Sequence, residues 1–315
     1  LFRRRQRPNI AAQKGTAIIV ALFVMSIVAV ASVAMIVRLH IDIRRTELLL
    51  NSDRAYLYAQ GSIAWASDQL FNNFKNQKPN QLVDKMPIES KADETDGFLI
   101  QSTIYDAQGF FNVNNLAAKD SQNDFLQLMK AVLPQLEPAT AKKISMSIHD
   151  WITIGSKDST ADAYYAANNP PYSSAHHLMV SVSELRLVQG MTSALYTQLL
   201  PFLIALPETT AINVNNASNP VLMSLNPNLS AASAKMIETY RKQTPFTTPQ
   251  KFQDFDIVKN NPIAPAKITV TSNYFLVKTS VKVGQQQTIL YTLLKRTAEK
   301  SKPTVTVLWQ TKGTL

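Results

Sequence analysis

The sequence predicts an α+β protein: one long N-terminal helix packed on a small antiparallel sheet, with a large all-α domain inserted into that sheet. Three observations predict it. An apolar and then amphipathic run extends from Thr16 with no proline before Pro79. Residues of β-type composition form two separate groups, one around 98–113 and one beyond Ile268. Between those groups the apolar pattern is largely helical.

The first element begins in a span without charge. From Thr16 to Val37 the only polar residues are Thr16, Ser26 and Ser32. At 1.5 Å per residue this stretch reaches roughly 33 Å, enough to cross a hydrocarbon core of about 30 Å. Arg3, Arg4, Arg5, Arg7 and Lys14 precede it with no acid among them, whereas Arg38, Arg44 and Arg45 are mixed with Asp42 and Glu47 beyond it. That excess of basic residues predicts a cytoplasmic N-terminus and everything after Val37 across the membrane. Three readings compete. The span can be an uncleaved signal anchor. It can be a secretory signal peptide, since Ala29-Val30-Ala31 offers the small-x-small pattern of a signal peptidase. It can also be a type IV pilin-like segment, cut between Gly15 and Thr16 on the cytoplasmic side so that the apolar helix stays on the mature chain.

The run continues past the span without glycine or proline to Gln60, and Gly61 alone need not end it. Tyr56, Ala59, Ile63, Ala66, Leu70 and Phe74 recur at spacings of three and four, which marks one face of a helix. A helix of roughly 60 residues, about 90 Å long, exceeds what a compact domain holds. Its first half suits lipid or other apolar helices and its second half suits a sheet. A cleaved signal peptide gives no reason for that continuity; a pilin-like design does.

Strand signals follow. Phe98 to Tyr105 has β composition, Asp106-Ala107-Gln108-Gly109 reads as a turn, and Phe110 to Val113 as the return strand of a hairpin. After the helical block, strands resume near Ile268. Phe275, Val277, Val281 and Val283 alternate with Lys278, Ser280 and Lys282, Gly284-Gln285 turns, Thr288 to Lys295 runs back, and Thr304 to Trp309 alternates again.

The inserted block opens on Asn112-Val113-Asn114-Asn115-Leu116 and contains a second version, Ile212-Asn213-Val214-Asn215-Asn216-Ala217. Each places asparagines ahead of a helical pattern, where their side chains cap free backbone N–H groups. Ser230 is positioned as N-cap of a helix running to about Lys242, before Pro245 and Phe246. Two such motifs imply two helical units.

Taken in order, these segments resemble the type II secretion minor pseudopilins of the K class. The run Gly15-Thr16-Ala17-Ile18-Ile19-Val20-Ala21-Leu22, the helix with Gly61 and Ala64-Trp65-Ala66, and Gly109 to Leu116 carry the resemblance. So do His149-Asp150-Trp151-Ile152, Tyr164-Tyr165, Pro170-Pro171-Tyr172, Ser183 to Met191, Ile212 to Ala217, and Arg241 with Pro245-Phe246. The resemblance implies a pilin-like fold with SAM-like units in the insertion. It implies a leader at 1–15, a transmembrane part of the helix at 16–37 and a periplasmic part at 38–78. The first sheet strands would lie in 79–113, the insertion in 114–266 and the last strands in 267–315. It further implies cleavage by a prepilin peptidase between Gly15 and Thr16, N-methylation at Thr16, and a single-pass inner-membrane location with a periplasmic globular region in a Gram-negative bacterium. The implied partners are the minor pseudopilins of the I and J classes, the major pseudopilin and secreted substrate proteins. The implied role is a subunit at the pseudopilus tip that initiates assembly and supports export.

Position five of such a mature chain is Val20. Most pilin-like proteins have a glutamate there, which compensates the N-terminal ammonium of a neighbour inside an apolar bundle, where an unpaired charge is expensive. The K class shares its absence, which suits a subunit assembled first. The loop after Asp150-Trp151-Ile152 is where some relatives bind calcium. Here it offers Asp150, Asp158 and Asp162, separated by Ser156, Ser159 and Thr160, with Ala161-Asp162-Ala163 where a more acidic run is usual. Calcium takes six to eight oxygen ligands, so this is read as a solvated polar loop and no metal or cofactor is assigned.

Other functions are disfavoured by composition. There is no cysteine, so disulfides, thiolate zinc sites and redox motifs are excluded. Eight glycines, with no GxGxxG or Walker A pattern, give no phosphate loop, and no GxSxG or HExxH is present. His176-His177 point to different faces of any regular element, and His149-Asp150 adjacency does not make a catalytic pair, so these are read as surface or capping groups and the chain as no enzyme. The formal charge is +10, but outside the first fifteen residues 27 basic stand against 22 acidic. No glycine lies between Met191 and Val283, so the hairpin of 212–246 lacks the phosphate-binding turn of a DNA-binding helix-hairpin-helix. The competing reading is a signal-anchored or secreted periplasmic protein whose helical domain binds a ligand or nucleic acid.

Overall fold

A computed structural model describes residues 10–76, 84–118, 120–153, 159–299 and 302–313. The basic residues Arg3 to Arg7, the helix stop expected at Pro79, and Ser156 and Asp158 lie outside the described residues. The chain divides into two compact units, Leu1–Ala55 and Tyr56–Leu315. Helix α1, Ile10–Asn76, runs 67 residues and passes through Gly61 without a break. In the first unit every residue from Gly15 to Leu50 is exposed.

In the second unit the expected stripe on α1 is buried at Ala59, Ala66 and Leu70 and half-buried at Tyr56, Ile63 and Phe74. Six antiparallel strands form the sheet: β1 (Ile88–Glu89), β2 (Asp93–Thr95), β3 (Phe98–Asp106), and, after the insertion, β8 (Tyr274–Val283), β9 (Gln286–Glu299) and β10 (Lys302–Lys312). The order is β1-β3-β8-β9-β10, with β2 also on β3. The last strand before the insertion therefore pairs directly with the first strand after it, Ile104 opposite Val277. Strand alternation separates two cores. Ile104, Phe275, Val277 and Leu294 pack on Ala66 and Leu70 of α1, while Tyr274, Leu276 and Leu293 pack on Ala107, Ile204 and Leu206 of the insertion. A bulge between Val307 and Trp309 lets β10 serve both, Val305 facing the α1 cluster and Trp309 the other.

The hairpin expected around 106–109 does not form. Asp106 accepts from the Gln108 N–H and starts a 3-10 turn, Ala107–Gly109, that carries the chain out of the sheet. Phe111–Asn112 (β4) then pairs in parallel with Leu203–Ile204 (β5), not with β3. The hairpin that does form joins β2 and β3 through Asp96 (φ 53°) and Gly97 (φ 79°). An Asp-Gly pair of that kind suits the primed turns of two-residue loops. Likewise Ile268–Thr269 (β7) pairs in parallel with Ile212–Asn213 (β6) inside the insertion. The sheet accordingly gives way at Asp106 and resumes at Tyr274, against the expected limits of 113 and 267.

The inserted block is helical: α2 (Asp120–Val132), α3 (Pro138–Ile152), α4 (Ser159–Ala166), α5 (Ser193–Leu199), α6 (Asn219–Ser224), α7 (Ala231–Gln243), α8 (Pro249–Gln253) and α9 (Asp256–Lys259). One continuous apolar core, from Phe111 to Val270, runs through it. The two asparagine motifs are joints of the same design. Asn112 accepts from the Asn114 N–H, and Asn213 from the Asn215 N–H. Asn114 donates to the carbonyls of Met179 and Leu206 and accepts the Met179 N–H. Asn215 donates to Phe246 and Val270 and accepts the Phe246 N–H. Each asparagine thus satisfies buried backbone groups of two returning segments and closes one helical unit. Ser230 caps α7 as expected, accepting from the Ser233 N–H.

Candidate membrane and assembly site

Among the described residues one helix is long and apolar enough to cross a membrane. Its two serines leave no hydroxyl unsatisfied: Ser26 Oγ donates to the Phe23 carbonyl at 2.7 Å and Ser32 Oγ to the Val28 carbonyl at 2.8 Å. The outer surface of Thr16–Val37 is therefore hydrocarbon, which is what a backbone and its side chains need where no water can satisfy them. Val20 is 60% exposed. An ionised glutamate at that position would project a charge into the same apolar surroundings and require a partner there. Gly15 lies inside α1, and a Cβ built on it meets nothing within 4 Å. Neither packing nor backbone conformation in this helix requires a glycine at position 15.

Of the acidic loop positions, Asp150 and Asp162 are among the described residues. Asp150 is half-buried near the end of α3. Asp162, on α4, accepts from Ser174 Oγ and lies 3.3 Å from His176 Nε2. The Ser174 hydroxyl foremost, then His176, hold the Asp162 carboxyl below its ordinary range. Among the described residues no group of three or more His, Asp and Glu converges as a metal cluster would. Ser174, His176 and Asp162 do not form a nucleophile relay. The serine donates to the carboxylate, both crowd the same imidazole nitrogen, and His176 Nδ1 faces the Thr153 carbonyl at 3.4 Å. His177 Nδ1 contacts the Leu178 carbonyl and His149 Nδ1 the Leu116 carbonyl, so all three of these histidines meet a backbone carbonyl.

A second cluster was not anticipated. Arg296 on β9 reaches both carboxylate oxygens of Asp84, donating to Oδ1 at 3.0 Å, and to the Ser272 carbonyl at 2.9 Å. Its guanidinium lies 4.6 Å from the Phe275 ring and 5.3 Å from Phe74 of α1. Both ionic side chains are at most 3% exposed. Beside them, Asp106 at the end of β3 accepts from Ser272 Oγ, Asn213 Nδ2, Asn216 Nδ2 and the Gln108 N–H. Burial pushes this carboxyl above its ordinary value, opposed by those donors, which favour the charged form. Asn216 also donates to the Asp84 carbonyl. The cluster joins helix, sheet and second asparagine joint. The one signal in the sequence was Asp106 in an otherwise β-like run, which a turn explained equally well.

The comparisons with known proteins agree in one direction. A family model described as type II secretion system (T2SS), protein K, matches residues 109–208. The chain is 28% identical over 315 residues to type II secretion system protein K of Aeromonas hydrophila, covering 92% of this chain and 95% of that protein. It is 26% identical over 303 residues to the protein of the same description from Pseudomonas aeruginosa, covering 90% and 89%. The fold is similar to one in the crystal structure of the GspK-GspI-GspJ complex from the enterotoxigenic Escherichia coli type 2 secretion system. The TM-score is 0.69 at 23% identity, over 85% of this chain and 99% of that one.

Proposed function

We propose that this chain, which belongs to the type II secretion system protein K family, sits at the tip of the pseudopilus, where it initiates assembly and supports export. As a minor pseudopilin it is a structural component of the secretion apparatus, with one apolar N-terminal helix that fits a single-pass inner-membrane anchor. The observation that carries the tip reading is Val20: an uncharged, outward-facing position in a helix otherwise built to lie among apolar neighbours. A subunit that enters first has no earlier N-terminal ammonium to neutralise, so hydrocarbon there avoids an unpaired buried charge.

In this reading a prepilin peptidase cuts between Gly15 and Thr16, and Thr16 becomes the methylated N-terminus. Gly15 supports it, being a glycine the helix itself does not need. The N-terminus faces the cytoplasm and the globular region the periplasm, following the basic residues ahead of Thr16. The I- and J-class minor pseudopilins are its immediate partners, on the analogy of the K-I-J complex, with the major pseudopilin below them and secreted substrates in contact. We assign it two SAM-like units, one closed by each asparagine joint, and no catalytic or metal role.

The test is the N-terminal mass of the mature chain from its native host, with the prepilin peptidase intact and deleted. Peptidase-dependent cleavage giving Thr16 as the first residue is expected. A chain starting at Ser32, or one left uncut, overturns the reading.

A further inference from the structure

Between α1 and the strands β1–β3 lies an open groove of about 640 Å³. Tyr58, Ser62, Trp65 and Gln69 line one wall, at the spacing of a single helix face, and Ile88 and Ile100 line the sheet side. The groove is held in shape from both ends. Tyr58 donates to Asp96 at 2.8 Å and its ring lies 5.1 Å from Phe98, while Ser90 and Ser102 exchange hydrogen bonds across β1 and β3. Gly61 sits at the rim with nothing within 4 Å of where a Cβ would be. A glycine inside an exposed helix costs about 1 kcal/mol relative to alanine, and the fold obtains nothing from it here except an open wall.

The rim is charged against the rest of the chain. Glu89 and Asp93 line it against Lys91, in a protein of net charge +10. Glu89 and Asp93 are exposed, and among the described residues neither enters a salt bridge. An apolar floor with a half-buried tryptophan, bordered by two carboxylates against one lysine, favours one kind of occupant by charge complementarity. We infer that this groove docks a partner polypeptide segment bearing an aliphatic anchor flanked by lysine or arginine. The aliphatic group covers Trp65, Ile88 and Ile100, and the flanking cations face Glu89 and Asp93. Gly61 keeps the rim low enough for the segment to enter. This inference stands apart from the tip reading and does not need it.

The absence of cysteine makes the test clean. Full chain carrying Ala92→Cys, at an exposed position beside the groove that does not line it, labelled with bimane and held in phosphatidylcholine nanodiscs, is titrated with three synthetic 14-residue peptides. One has leucine and isoleucine anchors flanked by lysines, one the same anchors flanked by glutamates, and one lysines with serine in place of the anchors. A Met236→Cys chain, labelled on exposed α7, is the control. The lysine-flanked peptide is expected to bind at least about tenfold more tightly than its glutamate counterpart and to shift the bimane emission at position 92 only. The serine peptide is expected to give no shift. Glu89→Lys with Asp93→Lys, both at exposed positions, is expected to reverse the order of the two charged peptides. Equal affinity for the two, an equal signal at position 236, no binding at all, or an order unchanged by the reversal would each overturn the inference.

Discussion

The two asparagine joints of the inserted block share a sequence, Asn-Val-Asn-Asn, and a geometry, yet they sit in different electrostatic surroundings. At the first, Asn112 and Asn115 serve neutral groups of 208–210: Asn112 donates to the Glu208 carbonyl, and Asn115 donates to the Thr210 carbonyl and accepts its N–H. At the second, Asn213 and Asn216 donate to the buried Asp106 carboxylate, which stands beside the Asp84–Arg296 pair. The asparagine at the third position of each motif does the same work in both places. The first and fourth are turned to whatever the fold brings opposite them. A local motif closes a helical unit; its flanks decide whether that unit is tied to loops or to the sheet and α1.

The comparison can be broken at several points. The largest effect is expected from Arg296→Met, which leaves the Asp84 carboxyl buried without its partner and costs about 3–5 kcal/mol. Urea unfolding of the full chain measures it, and a loss below ~1 kcal/mol would mean the charged cluster does not secure the second joint. Asn114→Ala and Asn215→Ala each strand one N–H and two carbonyls, at about 2–3 kcal/mol apiece. Equal losses by the same assay support equivalence of the joints, and a loss at one alone would end it.

Gly109→Ala sharpens the contrast, because only the second joint presses on that glycine. A Cβ there meets the Asn216 carbonyl oxygen at 3.0 Å and its carbon at 3.1 Å, both backbone atoms. The expected cost is about 1–3 kcal/mol, read as a lowered melting temperature with earlier exchange of the Asn216 amide than of Asn115. The smallest effect belongs to Glu238, which lies close to the second joint's unit on α7. Hydrogen bonds from Lys242, then Lys235 and Asn219, lower its pKa from 4.5 to about 2. A depressed carboxylate adds stability above its unfolded pKa and loses it as pH falls, here between about 4.5 and 2. The lysines are well exposed, so Glu238→Gln should flatten that window by less than ~1 kcal/mol in a pH series of thermal melts.

Legibility followed the range of the interaction. The α1 stripe at Ala59, Ala66 and Leu70, the Gly284 turn and the Ser230 cap are set by neighbours within a few positions, and they appear where the pattern put them. The false hairpin at 106–109 shows the limit. Asp106-Ala107-Gln108-Gly109 has turn chemistry in either outcome, and its strand partner, Leu203–Ile204, lies some ninety residues away. The true hairpin was readable, since Asp96-Gly97 is itself a turn signal, but the short polar strands around it hid it.

The sequence by itself determined the uncharged span from Thr16 to Val37, the unbroken helix beyond it, the two groups of strands and the paired asparagine motifs. Each rests on residue periodicity or on backbone preferences that a short segment carries alone. Only the tertiary structure decided that Asp84, 212 residues from Arg296, would neutralise it in the core, and that Asp106 would collect four donors from three segments. It also decided that Gly61, Trp65, Glu89 and Asp93 would share one groove. Burial turns an ordinary aspartate or arginine into a group that must find a partner, and which partner it finds depends on chain closure over distances that no local pattern encodes.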